Sequence, residues 1–139
     1  MITKSSDDIV STALRLLRVY GADESPTAQE LTHGYDALVS MLGAWSGSAL
    51  MSSTDNPLPT FPDGATGVSM NDMLPELLTT HLSNRIAPEY GVETPVLVVR
   101  RMRGVMHSWK RLHHNEEKAA TVSDAAMLGQ NRSAFFSNS

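Results

Sequence analysis

The side chains best suited to chemistry are histidines and carboxylates, and their spacing fits no known type of active site. His107, His113 and His114 fall within one predicted helix, but they lack the carboxylate and the spacing that accompany a zinc site. Glu116 and Glu117 are adjacent in the chain, whereas glycosidases place two carboxylates on opposite sides of a cleft. We therefore predict solvated charged surfaces here, with no catalytic residue, no metal site and no cofactor.

Motifs for nucleotide or nucleophile chemistry are absent from the sequence as well. It contains no glycine-rich phosphate loop and no nucleophile motif. It also has no cysteine, which excludes a disulfide framework, a thiolate nucleophile and a cysteine metal site, and which is compatible with the cytosol. We therefore expect that the protein is not an enzyme.

Charge is distributed unevenly along the chain. Residues 1–93 contain four basic and twelve acidic residues, a net charge of −8, whereas residues 94–139 contain seven basic and three acidic residues, a net charge of +4. This division indicates self-association guided by charge or an anionic partner. The alternative interpretation is that the charges lie on solvated helix faces without a partner.

The length of the chain, 139 residues, predicts one domain with a modest core. Eight methionines equal the eight aromatic residues in number, which favours an adaptable core. No apolar run approaches the roughly 20 residues of a membrane helix, and the first residues, MITKSSDD, lack the apolar region of a secretion signal. We expect no membrane contact and a protein made in a cytoplasm.

Apolar residues at helical spacing predict four helices that position these groups. The first covers residues 5–19, with Ser5 and Asp8 spaced as a capping box and Gly21 as the C-terminal cap. The second starts at Ser25-Pro26 and pairs with the first as an antiparallel hairpin. Its apolar stripe is Leu31, Tyr35, Leu38, Leu42 and Trp45, and its glycines, Gly34 and Gly43, would allow a close approach between helices.

Residues 46–70 predict a long irregular loop. They contain three prolines, three glycines and many Ser and Thr residues, with turn signals at Asn56-Pro57 and Pro62-Asp63-Gly64. So long a loop in a compact domain is unusual and often functional. A short β-hairpin or an extended arm is one way in which this segment could be organised.

The stretch RIAPEYG, residues 85–91, predicts a helix end and a reversal of the chain. The third helix starts near Asn71-Asp72 and ends at Ala87, because the residue before Pro88 is pushed out of helical geometry. Gly91 allows the reversal. These residues form a predicted structural elbow and not an active site: Arg85, Ile86, Pro88, Tyr90 and Gly91.

The fourth predicted helix is amphipathic and basic. Thr94 is its expected N-cap and Pro95 its first residue, and it covers about 20 residues, or about 30 Å. Its apolar stripe is Val98, Met102, Val105, Trp109 and Leu112. Its other faces hold Arg100, Arg101, Arg103, Lys110 and Arg111, which are suited to contacts with phosphates or with another protein.

Residues 116–139 are small and polar and lack a sustained apolar stripe. We expect an extended C-terminal tail that orders on a partner. Met127-Leu128 and Phe135-Phe136 are the residues expected to anchor it in a pocket. The alternative is that the two phenylalanines are stray aromatics near a terminus.

In order and spacing, these elements resemble the head-to-tail adaptor proteins of tailed bacteriophages. The resemblance covers residues 1–115: the capped helix DDIVSTALRLLRVYG, a second helix ending in LVSMLGAWSG, the loop, the helix closing in RIAPEYG and the Arg-rich helix. RIAPEYG is its most specific part, followed by Trp45. It is closest to the packaged-DNA-stabilisation tail accessory factor of short-tailed phages and more distant from the adaptors of long-tailed phages.

This resemblance implies an all-α antiparallel bundle of about four helices at residues 1–115 and a portal-docking tail at residues 116–139. It implies a dodecameric ring at the head–tail junction of the virion, with the portal protein above and a tail, nozzle or tail-needle component below. The ring would extend the DNA channel, retain the packaged genome and contact double-stranded DNA without sequence specificity. Portal docking would fall to Met127, Leu128, Phe135 and Phe136, and the channel or inter-subunit face to Arg100, Arg101, Arg103, Lys110 and Arg111.

Two other functions fit the sequence. The first is a small helical nucleic-acid-binding or packaging-associated protein, which the Arg-rich helix favours. The overall acidity, with an isoelectric point near 5.6, and the lack of aromatic stacking platforms speak against specific base reading. The second is a cell-wall hydrolase built on a helical bundle, for which no catalytic motif is found.

Overall fold

The computed structural model describes the backbone of residues 1–21 and 23–136 and the side chains of residues 1–21 and 23–119. In chain order its elements are β1 (Ile2–Lys4), α1 (Ser6–Leu16), α2 (Ala28–Trp45), β2 (Val68–Met70), α3 (Leu74–Ile86), a 3-10 turn (Ala87–Tyr90) and α4 (Val96–Phe136). The predicted helical character is therefore confirmed, and a two-stranded sheet is added to it.

Helix α1 begins as predicted and ends earlier than predicted. The Asp8 amide donates to Ser5 Oγ at 3.1 Å, and the Ser5 amide donates to Asp8 Oδ2 at 3.0 Å, which together make the capping box. The helix ends before Gly21, because Arg18 adopts a left-handed backbone with φ of 59°. The buried Leu17 and the partly buried Val19 on either side of it pack on the core, which offsets the strain of that conformation.

Helix α2 packs closely on α1 at a single glycine. A Cβ atom on Gly34 would lie 2.3 Å from Val10 Cγ1, so only glycine allows this approach, as predicted. The same expectation for Gly43 was wrong, since nothing lies within 4 Å of a Cβ atom there. The helix starts after Thr27, whose hydroxyl accepts the Glu30 amide at 3.2 Å, rather than at Ser25-Pro26.

The two strands pair the N-terminus with the end of the long loop. They run antiparallel, with Ile2 opposite Met70 and Lys4 opposite Val68. The loop therefore does not form a hairpin within itself. Three-residue strands are too short to show a period in the sequence, which is why β1 was not predicted.

Helix α3 lies at the centre of the bundle and packs on α1, α2 and α4. Its leucines and Ile86 are at most 1% exposed, as are the neighbouring apolar residues of α1. A polar contact also joins two helices here, since Ser83 Oγ donates to the Ala13 carbonyl at 2.9 Å. These contacts make α3 the element against which the others are oriented.

The elbow after α3 ends the helix and reverses the chain where its sequence predicts, but Ala87 was wrongly expected to leave helical geometry, since its φ of −50° and ψ of −45° are those of a right-handed helix. Ala87 caps α3, the 3-10 turn follows, and Gly91 has a left-handed φ of 66°. The Val92 amide donates to the Ala87 carbonyl at 3.2 Å, which closes the reversal. Ile86 is buried and Tyr90 packs partly on the core, so both side chains hold this corner.

Helix α4 is longer than predicted. It has 41 residues, and its backbone remains helical through the segment 116–136 that was expected to be an extended tail. The residues of that segment include many good helix formers, such as Ala, Glu, Lys, Met and Leu, which sustain a helix without an apolar stripe. The side chains of the predicted docking residues, Met127, Leu128, Phe135 and Phe136, lie outside the described residues. None of the described helices is apolar enough over a sufficient length to cross a bilayer.

Candidate functional site

The rotation of α4 is fixed by one buried tryptophan. Trp109 is fully buried, and its Nε1–H donates to the Met51 carbonyl at 2.9 Å. Met51 is itself buried, so the loop covers this side of the helix. Since α4 turns once every 3.6 residues, fixing Trp109 toward the core also fixes which residues face the solvent.

The side of α4 opposite Trp109 is a continuous basic surface. Its six exposed side chains span about 21 Å of the helix at 1.5 Å per residue, over about a quarter of its circumference. We call this surface the outer basic face, and it consists of Arg100, Arg103, His107, Lys110, Arg111 and His114. It contains four of the five basic residues that the sequence predicts as a channel or inter-subunit surface.

The fifth predicted residue, Arg101, has a different environment. Its Nε–H donates to Glu76 Oε1 of α3 at 2.9 Å, and both side chains remain about half exposed. A surface pair of this kind contributes at most about 1 kcal/mol. Arg101 therefore pairs within its own chain, on the side of α4 that meets α3, and is not part of the outer basic face.

The charges of the outer basic face are not neutralised within the described part of the chain. Arg100, Arg103, Lys110 and Arg111 form no ion pair with any described residue. Neighbouring positive charges within about one Debye length, roughly 8–10 Å, repel one another and attract anions. The surface can therefore bind a carboxylate-rich protein surface or a row of phosphates. The exposed Leu50 of the loop lies beside its second half and adds an apolar contact.

An acidic groove lies on another part of the molecule, between α2 and the 3-10 turn. Its lining includes Glu30, Asp36 and His33 of α2 and Tyr90 of the elbow. The His33 ring lies within hydrogen-bond distance of the Glu89 carboxylate, and Glu89 follows Pro88 in the elbow. Burial raises the pKa of the Tyr90 hydroxyl, and the carboxylates of Glu30 and Glu89 raise it further. One protomer thus presents two surfaces of opposite charge.

The remaining elbow residue, Arg85, points along the bundle surface. Its guanidinium donates to Ser40 Oγ of α2 at 3.4 Å. His81, one turn earlier on α3, packs edge-on against Trp45 with ring centroids 5.1 Å apart. Burial lowers the pKa of His81, so this ring is a neutral part of the helix packing. The elbow therefore orients helices and contributes Tyr90 to the lining of the acidic groove.

A polar cluster between the loop and α4 was missed by the sequence interpretation. His113 was assigned to a solvated basic face and Glu116 to a surface charge, yet His113 is only 1% exposed. The Glu116 carboxylate accepts the Ser53 hydroxyl at 2.7 Å and the Asn56 side-chain amide. The sequence contained one signal for the burial of His113. This residue lies four positions after Trp109 and thus on the apolar stripe of the helix.

Among the described residues, no group of three or more His, Cys, Asp or Glu side chains is arranged to hold a metal ion. No protein-family model matches the chain, and no curated protein matches it. A function is therefore inferred from the charged surfaces, from the order of the elements and from the resemblance given above.

Proposed function

We propose that this protein is a head-to-tail adaptor of a tailed bacteriophage. In this role it assembles as a ring under the portal, extends the DNA channel, retains the packaged genome and offers a platform for the next tail component. It is assembled in the host cytoplasm and resides at the neck of the virion. The order of the four helices and the elbow at RIAPEYG support this proposal.

The observation that carries the proposal is the presence of two different charged surfaces on one protomer. A closed ring of identical subunits uses heterologous contacts, in which one surface of a protomer meets a different surface of its neighbour. The outer basic face and the acidic groove at Glu30 and Asp36 are complementary in charge. Basic side chains that do not meet a neighbour are available to the DNA in the channel. The resemblance implies that this ring has twelve copies.

The C-terminal segment has the role of docking on the portal. Helix α4 continues for 20 residues after Glu116, the last residue whose contact with the loop is described above. That length corresponds to about 30 Å of helix, which is enough to reach a neighbouring ring. Met127, Leu128, Phe135 and Phe136 are the residues that we propose to insert into the portal.

Electron microscopy of the protein mixed with candidate portal rings tests the function directly. We expect a second ring below the portal, with density from the C-terminal segment on the portal surface. A chain lacking residues 127–139 should remain a folded monomer, by circular dichroism and thermal unfolding, and should lose portal binding.

A matched double variant separates docking from folding. Phe135→Ala with Phe136→Ala removes only the proposed anchors, and should weaken portal binding without changing the melting temperature. If the truncated chain still binds portal rings as tightly as the full chain does, the docking role of this segment is excluded. If no ring forms at any protein or portal concentration, the adaptor proposal itself fails.

The outer basic face also favours a second candidate, a small nucleic-acid-binding or packaging-associated protein. Arginines and a lysine along one helix face, without an ion pair among the described residues, can follow a phosphate backbone, and such binding weakens steeply with salt. Retention of the monomer on non-specific double-stranded DNA at several salt concentrations distinguishes the two functions. Tight, salt-dependent retention of the monomer favours this second candidate, whereas an adaptor monomer should be retained weakly.

A further inference from the structure

Both ring nitrogens of the buried His113 face carbonyl oxygens. Nδ1 lies 3.0 Å from the Trp109 carbonyl oxygen, one turn earlier on α4. Nε2 lies 2.9 Å from the Asn56 carbonyl oxygen in the loop. Both distances are those of ordinary hydrogen bonds, and the ring is only 1% exposed, so water does not compete for either nitrogen.

The two partners of His113 fix which form of the ring satisfies them. A carbonyl oxygen only accepts hydrogen bonds, so each contact requires an N–H on the imidazole. A neutral ring has one N–H, and its second nitrogen would then direct a lone pair at a carbonyl oxygen. Only the doubly protonated imidazolium donates to both Trp109 and Asn56. A neutral ring would leave one buried pair repulsive, which is unfavourable.

The charged groups around this ring favour the imidazolium. Glu116, on the same face of α4, is held by Ser53 and Asn56, and Asp55 and Glu117 line the same depression beside His113. The hydrogen bond from Ser53 lowers the pKa of the Glu116 carboxyl below its ordinary value, and the bond from Asn56 and the nearby His113 lower it further. His113 is the only basic side chain among the described residues that line this depression.

We propose that His113 is held as an imidazolium and acts as a pH-sensitive latch that fastens the loop at Asn56 to α4. The latch extends to a third element, because Asn71 Nδ2, just before α3, donates to Asn56 Oδ1 at 2.8 Å. Only part of the loop depends on it. The Trp109 bond to the Met51 carbonyl contains no titrating group and keeps the start of the loop attached when the latch opens.

The latch closes within a pH window whose limits follow from its two charged members. As pH rises and the imidazolium loses a proton, one of its two contacts becomes a lone-pair repulsion in either neutral tautomer, which weakens the hold of the ring on the loop at Asn56. As pH falls below the lowered pKa of Glu116, the protonated carboxyl no longer attracts His113 or accepts both loop donors. This inference does not depend on the adaptor function, because every group in it belongs to a single chain.

Nitrogen NMR of the histidine rings in the full chain tests the protonation state. At about pH 6 we expect both His113 nitrogens to carry slowly exchanging protons, because both face buried carbonyl oxygens. His114, the exposed neighbour, is the internal reference. A His113 ring that has a single protonated nitrogen at that pH would overturn the proposal.

Hydrogen exchange reports whether the loop responds. The backbone amide of Asn56 donates to Ser53 Oγ at 3.0 Å. The protection factor of this backbone amide therefore measures closure of the latch. We expect that protection to fall about tenfold as His113 loses its proton, after correction for the intrinsic pH dependence of exchange. Protection that stays constant across this range would contradict the latch.

Variants separate the latch from general packing. His113→Gln should abolish the pH response of the Asn56 amide, whereas His114→Gln should preserve it. If His113→Gln fails to fold, Glu116→Gln keeps the shape of the site and removes the charge, and should move the midpoint of the response to lower pH by roughly half a unit or more. An unchanged midpoint in Glu116→Gln would contradict the proposed charge pairing.

Discussion

His113 and His114 are neighbours in the chain, yet they lie on different sides of α4 in different environments. His113 is buried between two carbonyl oxygens, and His114 is exposed beside Lys110 and Arg111. The difference comes from one step of helix rotation, which moves a side chain by about 100°. Residue type alone therefore does not decide the role of a histidine here. The side of α4 on which it falls decides it.

The same contrast holds for the two sides of α4 as a whole. On the inner side, Trp109, His113 and Glu116 each have a hydrogen-bond partner in the loop. On the outer side, the arginines and the lysine have no ion pair within the described chain. The inner side is therefore expected to determine stability, and the outer side to determine binding. Substitutions on each side can test that division.

The largest effect is expected on the inner side, at Trp109. Trp109→Ala should lower the free energy of unfolding by about 3–5 kcal/mol, because it removes a fully buried indole and leaves the Met51 carbonyl without its donor. Urea unfolding followed by circular dichroism measures this change. Trp109→Phe keeps most of the volume and should cost clearly less. A loss below about 1 kcal/mol for the alanine variant would show that α4 is not anchored here.

A buried contact between α1 and α2 should give the next largest effect. Gly34→Ala places a methyl group 2.3 Å from Val10 Cγ1, and overpacking of this kind costs about 1–3 kcal/mol. Gly43→Ala is the matched control on the same helix, where nothing lies within 4 Å and alanine should stabilise by up to about 1 kcal/mol. Equal melting temperatures for the two variants would argue against the close helix approach.

How far the fold could be predicted depended on whether a signal was local. The capping box at Ser5 and Asp8 and the elbow at Pro88 and Gly91 are set by neighbouring residues, and both lie at the predicted positions. The pairing of β1 with β2 joins residues more than 60 positions apart and has no local signal. The end of α1 at Arg18 was missed because burial of its neighbours outweighed the preference for glycine.

The outer basic face of α4 could be predicted from the sequence, whereas the polar contacts on the inner side of α4 could not. Basic residues that alternate with an apolar stripe predict an exposed charged face, and Arg100, Arg103, Lys110 and Arg111 lie on one. The partners of His113 come from irregular backbone in the loop, at a position that no periodicity encodes. The pairing of Arg101 with Glu76 likewise depends on the packing of α3 against α4, which the sequence alone does not fix.

A smaller effect, and one with a pH signature, is expected at the start of α1. Ser5→Ala should cost about 1 kcal/mol near neutral pH, because it removes the cap of the Asp8 amide. The Ser5 amide lowers the pKa of Asp8 from 3.8, so the stabilisation is complete above that value and is lost as pH falls through the lowered pKa. Because the alanine chain keeps its backbone amide at position 5, unfolding curves of both chains between about pH 2 and 7 should lose the Asp8 stabilisation together. Equal stability of the two chains near neutral pH would contradict the capping box.

The smallest effect on stability, and the most informative about function, is expected on the outer basic face. Arg103→Glu with Lys110→Glu should change the free energy of unfolding by no more than about 0.5 kcal/mol, because neither side chain has an ion pair within the described chain. The same variant should lose self-association in analytical ultracentrifugation. It should also reduce the salt dependence of any DNA retention, since two cations are removed.

A charge swap then identifies the neighbour of that face. Asp36→Lys reverses an exposed carboxylate of the acidic groove and should also prevent self-association when it is tested alone. Mixing it with the Arg103→Glu, Lys110→Glu chain should restore association between the two variants, because each presents the surface that the other has lost. If only the Arg103→Glu, Lys110→Glu chain loses self-association, and mixing it with Asp36→Lys does not restore association, the acidic groove is not the partner of the outer basic face. Retention of DNA by the wild-type monomer would then favour phosphates as the ligand of the outer basic face.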